Sequence, residues 1–229
     1  MQISGMNKLT LLDYPGEIAC LIFTQGCNFK CQFCHNSTLI PLKQVGTITE
    51  EELLSYLNRR KNVLTGVVIS GGEPLMQPGL KELIKTIKAL GFKIKLDTNG
   101  TNLILLEELL RDHLIDYLAM DLKGDAENYA WIIGQEQFDF KLIEKAINLI
   151  TNAGIDYEFR TTVVKEFHDI TMLSKLCALL PGDAKYYLQN YVDSDNVLIK
   201  GLHGFTDNEL KTMTSKLNKK YPNVLVRGQ

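Results

Sequence analysis

Three cysteines fall within eight residues of the stretch TQGCNFKCQFCHN, at Cys27, Cys31 and Cys34, with no fourth close after them. The chain has five cysteines, and the remaining two, Cys20 and Cys177, sit outside any Cys-x-x-Cys pair. In a reducing compartment, clustered thiols are read as metal ligands or redox groups before they are read as disulfides, and an odd total points the same way. Three thiolates can hold three irons of a [4Fe-4S] cube and leave one iron open to water or to a chelating substrate, whereas a closed electron-transfer cluster takes four. The competing reading is a structural zinc, which wants four nitrogen or sulfur ligands and could recruit His35. Adjacency to Cys34 places His35 poorly for closing the same tetrahedron.

Such ligands need elements to position them. From Ile18 onward, short β-rich runs alternate with amphipathic stretches, the pattern of βα units. Strands are expected at 18–24, 66–70, 92–97, 115–121, 157–164 and 185–191, with helices near 49–61, 78–90, 103–113, 139–153, 169–180 and 206–220. VLVR near the end is a candidate seventh strand. Thr49 reads as an N-cap, with Glu50 to Glu52 at the positive end of the helix dipole and Arg59 to Lys61 near the negative end. Periodicity alone allows a doubly wound sheet or an incomplete barrel, and in both, ligands gather at the carboxyl ends of the strands. Four motifs stand there: the cysteine cluster, Ser70-Gly71-Gly72-Glu73-Pro74, Asp97-Thr98-Asn99-Gly100 and Asp121-Leu122-Lys123-Gly124. In the fifth expected strand, Glu158 and Arg160 share one face by the two-residue period.

The spacing Cys27-x-x-x-Cys31-x-x-Cys34, with Phe33 before the last cysteine, resembles the signature of the radical S-adenosylmethionine (SAM) superfamily. The resemblance implies that the open iron is chelated by SAM, and that one electron from the reduced cluster cleaves SAM to a 5'-deoxyadenosyl radical. Phe33 would then lie near the adenine, and Gly71, Gly72 and Glu73 would receive the SAM ammonium. Asp97-Thr98 and the Asp121-x-Lys123 pair resemble motifs of the glycyl-radical-enzyme activases. That likeness gives Asp97, Thr98 and Asp121 a place beside SAM, helping to hold a monovalent cation. It brings Lys123, the candidate catalytic residue, to the methionyl end or the incoming peptide, and Arg160 to the SAM carboxylate or ribose. Asp13-Tyr14-Pro15-Gly16 keeps the activases' Asp-Gly-Pro-Gly except at its second position. With CHN after the cluster, the likeness is closest to the anaerobic ribonucleoside-triphosphate reductase activating proteins.

The resemblance implies a partial (β/α)6 TIM-like barrel as one radical SAM domain over 1–229, an activase whose protein substrate is a glycyl radical enzyme and whose electron donor is a flavodoxin or ferredoxin. Two rivals remain: a small-molecule enzyme of the 7-carboxy-7-deazaguanine synthase kind, and a non-catalytic zinc-binding interaction module. The 229 residues, 45% of them apolar, are enough for a substantial core. A net charge of -2 offers no basic field for a nucleic-acid backbone. No run of eighteen apolar residues suggests a membrane span, and the opening residues lack the pattern of a signal peptide, so the cytoplasm is the expected home. Cys20 and Cys177 read as small core residues, His113 and His168 as capping or surface residues, and Trp131 as packing. Gln189 is a weaker candidate for adenine or ribose contact.

The cysteine reading makes a direct prediction. Replacing Cys27, Cys31 or Cys34 by alanine abolishes cleavage of SAM by the anaerobically reconstituted protein, while Cys20→Ala and Cys177→Ala retain both iron and cleavage. Iron and sulfide analysis with quantification of 5'-deoxyadenosine checks it, and loss of the cluster in either of the last two variants contradicts it.

Overall fold

The computed structural model describes residues 1–42 and 46–227. Their contacts divide into two compact units. One comprises 1–28, 38–119 and 153–156, and the other 29–37, 120–152 and 157 onward. No helix among the described residues is long and apolar enough to cross a membrane.

In the first unit, β1 (Ile3–Thr10) runs antiparallel to β2 (Ala19–Thr24), with Ile3 opposite Thr24 and Thr10 opposite Ala19. β3 (Gly66–Gly71) and β4 (Lys93–Thr98) follow in parallel, Val67 facing Cys20 on one side and Ile94 on the other. Strands buried on both faces read as continuous apolar runs, as Val67-Val68-Ile69 do. The connecting helices are α1 (Glu50–Arg60), α2 (Leu80–Ala89) and α3 (Leu103–Arg111). Thr49 caps α1 as expected, in a reciprocal capping box with Glu52. On α2, Leu80, Leu83, Ile84 and Ile87 turn inward at helical spacing.

β5 (Tyr117–Asp121) is shared between the units. The second unit continues with the short α4 (Tyr129–Ile132), α5 (Lys141–Thr151), β6 (Asp156–Val163), α6 (Ile170–Leu179), β7 (Tyr186–Asn190), α7 (Asp207–Asn218) and β8 (Val224–Arg227). β6, β7 and β8 are parallel neighbours. Each expected strand and helix has its counterpart, and the VLVR candidate is β8. Its Arg227 forms a bidentate pair with the fully buried Glu158, at 2.7 and 2.6 Å.

β1 and α4 are additions to the expected order. β1 escapes the alternation rule because only its end residues, Ile3 and Thr10, are buried. It also fixes the place of Asp13-Tyr14-Pro15-Gly16. Because Thr10 pairs with Ala19, that stretch stands at the amino end of β2, about 17 Å of strand away from the cysteine end. Tyr14, the departure from the activase pattern, is buried against Ala19, Leu21, Val68 and Tyr117. Burial first, then the nearby Asp116 and Glu17 carboxylates, holds its phenol above the ordinary range. Cys20 and Cys177 are buried as expected, and burial pushes both thiols up to about 12.

Candidate functional site

In the first unit the cysteine loop leaves and returns through a short backbone clasp. Gly26 N–H donates to the Leu39 carbonyl at 2.7 Å and Cys27 N–H to that of Ile40 at 3.2 Å. The buried Gln25 amide donates to the carbonyls of Pro41 (2.8 Å) and Thr38 (3.2 Å), bracing the returning segment. The glycine pair after β3 lies against this clasp. A Cβ at Gly71, whose φ is +119°, would stand 2.2 Å from the Thr24 nitrogen, and one at Gly72 would stand 2.1 Å from the Gly26 oxygen. Without side chains there, Gly72 N–H reaches the Thr24 carbonyl at 2.9 Å and Glu73 N–H that of Gly26 at 2.8 Å.

Glu73 is 1% exposed. Its Oε1 accepts from Leu75 N–H (3.0 Å) and from the Thr98 hydroxyl (2.6 Å), and its Oε2 accepts from Asn99 N–H (2.7 Å). Asn99 then donates through Nδ2 to Asn28 Oδ1 at 2.9 Å, and Asn28 donates to the Thr101 hydroxyl at 2.8 Å. Asn28 follows Cys27, so the cysteine, glycine and Asp-Thr loops share one polar network. Beside it, Asp97 Oδ1 lies 2.5 Å from the ammonium of Lys95.

The second unit carries Cys31 and Cys34 in a tight turn, Cys34 N–H donating to the Cys31 carbonyl at 3.0 Å. That segment is stitched to α4: Lys30 N–H donates to Ile133, Gln32 N–H to Ile132, and the Gln32 amide to the Trp131 carbonyl at 3.0 Å. Phe33, 4% exposed, packs with Ile132, Val164, Phe167, Met172 and Tyr191. Above its ring, 6.0 Å from the centroid, stands Lys123 Nζ. Asp121 accepts from Lys123 at 3.1 Å and from Arg160 Nε at 2.9 Å. Desolvation alone would raise Asp121, but Arg160 and Lys123 outweigh it and hold the carboxyl well below the carboxylate range. Desolvation likewise opposes the charge on Lys123, while Asp121 and the sulfurs of Cys31 and Cys34 keep its ammonium above the usual lysine range. Burial pushes the Cys31 thiol up to about 11 despite the attraction of Lys123.

His168 is a correction to the capping or surface role. It is buried, and Asp169 caps α6 instead. Its Nδ1 accepts from Val164 N–H at 3.1 Å, which leaves Nε2 to donate to the Lys123 carbonyl at 2.9 Å. Desolvation keeps the ring neutral by lowering its pKa. The imidazole therefore fixes the backbone that carries Lys123.

Each unit thus gathers its share of the expected residues: Cys27, Gly71, Gly72, Glu73, Asp97 and Thr98 in one, and Cys31, Phe33, Cys34, Asp121, Lys123 and Arg160 in the other. Two of the expected residues also have partners within the protein: the Glu73 carboxylate accepts from three protein donors, and the Phe33 ring packs in an apolar cluster. Gln25, Asn28 and Lys95 escaped the sequence reading, since single amides and a strand lysine carry no spacing signal; Asn99 entered only as part of its motif, with no role of its own, and His168 in a different role. Asn28, next to a motif residue, was the most findable.

None of the five cysteines forms a disulfide. Among the described residues no three His, Cys, Asp or Glu side chains are gathered as a preformed metal cage. His35 turns toward the Tyr191 ring, 5.1 Å between centroids, and bonds to the Val192 backbone. The donor set suits an iron-sulfur cluster: three cysteines within eight residues of chain, two of them near enough to the Lys123 ammonium to act on its charge.

The Radical SAM superfamily model matches residues 21–173. A Methanocaldococcus jannaschii protein assigned as a glycyl-radical enzyme activating enzyme is 32% identical over 98% of this chain and 95% of its own. The pyruvate formate-lyase-activating enzyme of Clostridium pasteurianum is 32% identical over 73% of this chain and 71% of its own. Among solved structures, SuiB of Streptococcus suis bound to its precursor peptide superposes with a TM-score of 0.73 at 16% identity. That match covers 91% of this chain but 48% of SuiB, so the chain spans about half of that structure's length. The likeness carries the fold, the α/β partial (β/α)6 barrel expected from the sequence.

The Glu73 network predicts that Glu73→Gln destabilises the cluster-free protein by about 2 kcal/mol, because an amide cannot accept from all three donors. Urea denaturation measures it. Unchanged stability would show that the carboxylate does not hold these loops.

Proposed function

The chain belongs to the radical SAM superfamily, in the family of the glycyl-radical enzyme activating enzymes, and from that premise we propose that its client is an anaerobic ribonucleoside-triphosphate reductase. The observation that carries the site reading is the charge cluster of Lys123, Asp121 and Arg160 beside Cys31 and Cys34. When bound, the [4Fe-4S] cluster, once reduced, supplies the electron that splits SAM into methionine and the radical that takes hydrogen from a glycine Cα.

The side chains have these roles in the proposal. Cys27, Cys31 and Cys34 ligate iron. Lys123 places a fixed positive charge next to two of the ligands, and His168 keeps its backbone in register. Asp121 and Arg160 offer paired charges of the kind that recognise an ammonium and a carboxylate. Gly71, Gly72 and Glu73 give the ammonium end of SAM a backbone rim, with Thr98 and Asp97 at the neighbouring strand end. Phe33 supports this layer from the core, beneath Lys123. One domain runs the length of the chain, a reading supported by a family match that includes parts of both units. A flavodoxin or ferredoxin in the cytoplasm supplies the electron.

The choice of reductase rests on the Asp13-x-Pro15-Gly16 and CHN motifs. The test is anaerobic incubation of the reduced, reconstituted protein and SAM with the reductase and, separately, with pyruvate formate-lyase. A glycyl radical doublet in the electron paramagnetic resonance spectrum of the reductase alone is expected. A doublet on the lyase alone would assign the wrong client. Turnover of a free pterin or nucleobase-like substrate with no protein radical would favour the deazaguanine-type alternative.

A further inference from the structure

Lys95 is a lysine in the middle of a parallel strand, 1% exposed, and the expected chemistry has no role for it. Its strand places it on the same face as Asp97, two residues on, and its ammonium meets Asp97 Oδ1 at 2.5 Å. From the other side it lies 5.9 Å from the centroid of Tyr117, whose ring belongs to the apolar cluster of Tyr14, Ala19, Leu21 and Val68. An ammonium in such surroundings is tolerable only when paired, and the aromatic face adds a second, weaker attraction. The Lys95 ammonium therefore stands between two attractions, the Asp97 carboxylate and the Tyr117 ring.

This arrangement does not fit the monovalent cation that the activase resemblance gives to Asp97, Thr98 and Asp121. The Asp97 carboxylate already has a positive charge at contact distance, and a metal cation there would face the Lys95 ammonium. The Thr98 hydroxyl is committed, donating to Glu73 and accepting from Gly100 N–H at 3.0 Å. Within its own unit, Asp121 is countered by Arg160 and Lys123. We infer that Lys95 is a built-in counter-ion: its ammonium does for Asp97 what a monovalent metal ion would do, so that SAM binding by this chain needs no such ion. Lys95 acts through Asp97 and is a positioning residue. The inference rests on the reading that Asp97 faces SAM.

The test uses anaerobically reconstituted holoprotein and equilibrium dialysis of SAM at constant ionic strength in potassium, sodium or choline chloride. The wild type is expected to bind SAM equally in the three salts. Lys95→Met, which keeps the length of the side chain and removes the charge, is expected to bind about tenfold more weakly in choline and to recover in potassium or sodium. The melting temperature of the cluster-free protein gives a readout that involves neither iron nor turnover. It should be indifferent to the choice of salt in the wild type and raised by potassium or sodium over choline in Lys95→Met. Wild-type binding that requires potassium or sodium overturns the inference, even if the variant fails to fold, and so does a folded Lys95→Met that binds SAM like the wild type. Asp97→Asn separates the two levels. Unchanged SAM affinity in that variant would remove Asp97 from the SAM site and the inference with it, whereas weakened affinity in Asp97→Asn together with a cation-dependent wild type would overturn the counter-ion alone.

Discussion

The carboxylate of Glu73 is the constraint from which the arrangement of the first unit follows. A buried charge must find donors, and the donors it finds belong to its own turn and to the end of β4. Once those bonds are made, the glycine turn cannot shift without moving Thr98 and Asn99. The turn lies on Thr24 and Gly26 because Gly71 and Gly72 have no Cβ to keep them apart, and Gly26 opens the cysteine loop. Asn99 and Asn28 close the circuit to the residue after Cys27. A stretch that reads in isolation as a ligand-binding loop is first a clamp on the loop that carries the sulfurs.

The second unit solves the same problem with charge. Asp121 takes a cation from its own motif, Lys123, and one from β6, Arg160, while Glu158 on that same strand is paired with Arg227 of β8. The face shared by Glu158 and Arg160 is thus explained by two separate partnerships. Removing one member of such a pair is far more damaging than never having had it, because the other is left charged and buried. The result is an ordered pattern of positive and negative groups beside Cys31 and Cys34. Such a pattern suits a zwitterionic cofactor, whose ammonium and carboxylate each need an opposite charge.

Strand and helix positions were legible in the sequence because burial on both faces and helical spacing leave plain patterns, as in Val67-Val68-Ile69 and along α2. The three cysteines were legible because ligand spacing is a covalent fact of the chain. The partners of the motif residues were not. Nothing in FKIKLD marks Lys95 as buried and Lys93 as exposed: the two-residue alternation puts Lys93, Lys95 and Asp97 on one face, and the habit of assigning lysine to the surface hides the burial of the middle one. His168 was misjudged for a related reason: next to Asp169, the true cap, it looked like part of a helix start. β1 has no hydrophobic signature because none of the residues between its two buried ends is itself buried.

The claim at the centre of this account is that three thiolates from one loop leave a single iron of the cluster open to SAM. Mössbauer spectroscopy of protein reconstituted with 57Fe, recorded with and without SAM, addresses it directly. One iron site is expected to change its parameters when SAM is added while the three cysteine-ligated sites keep theirs. A spectrum in which SAM alters no site, or a preparation that takes up zinc and no iron, would contradict it.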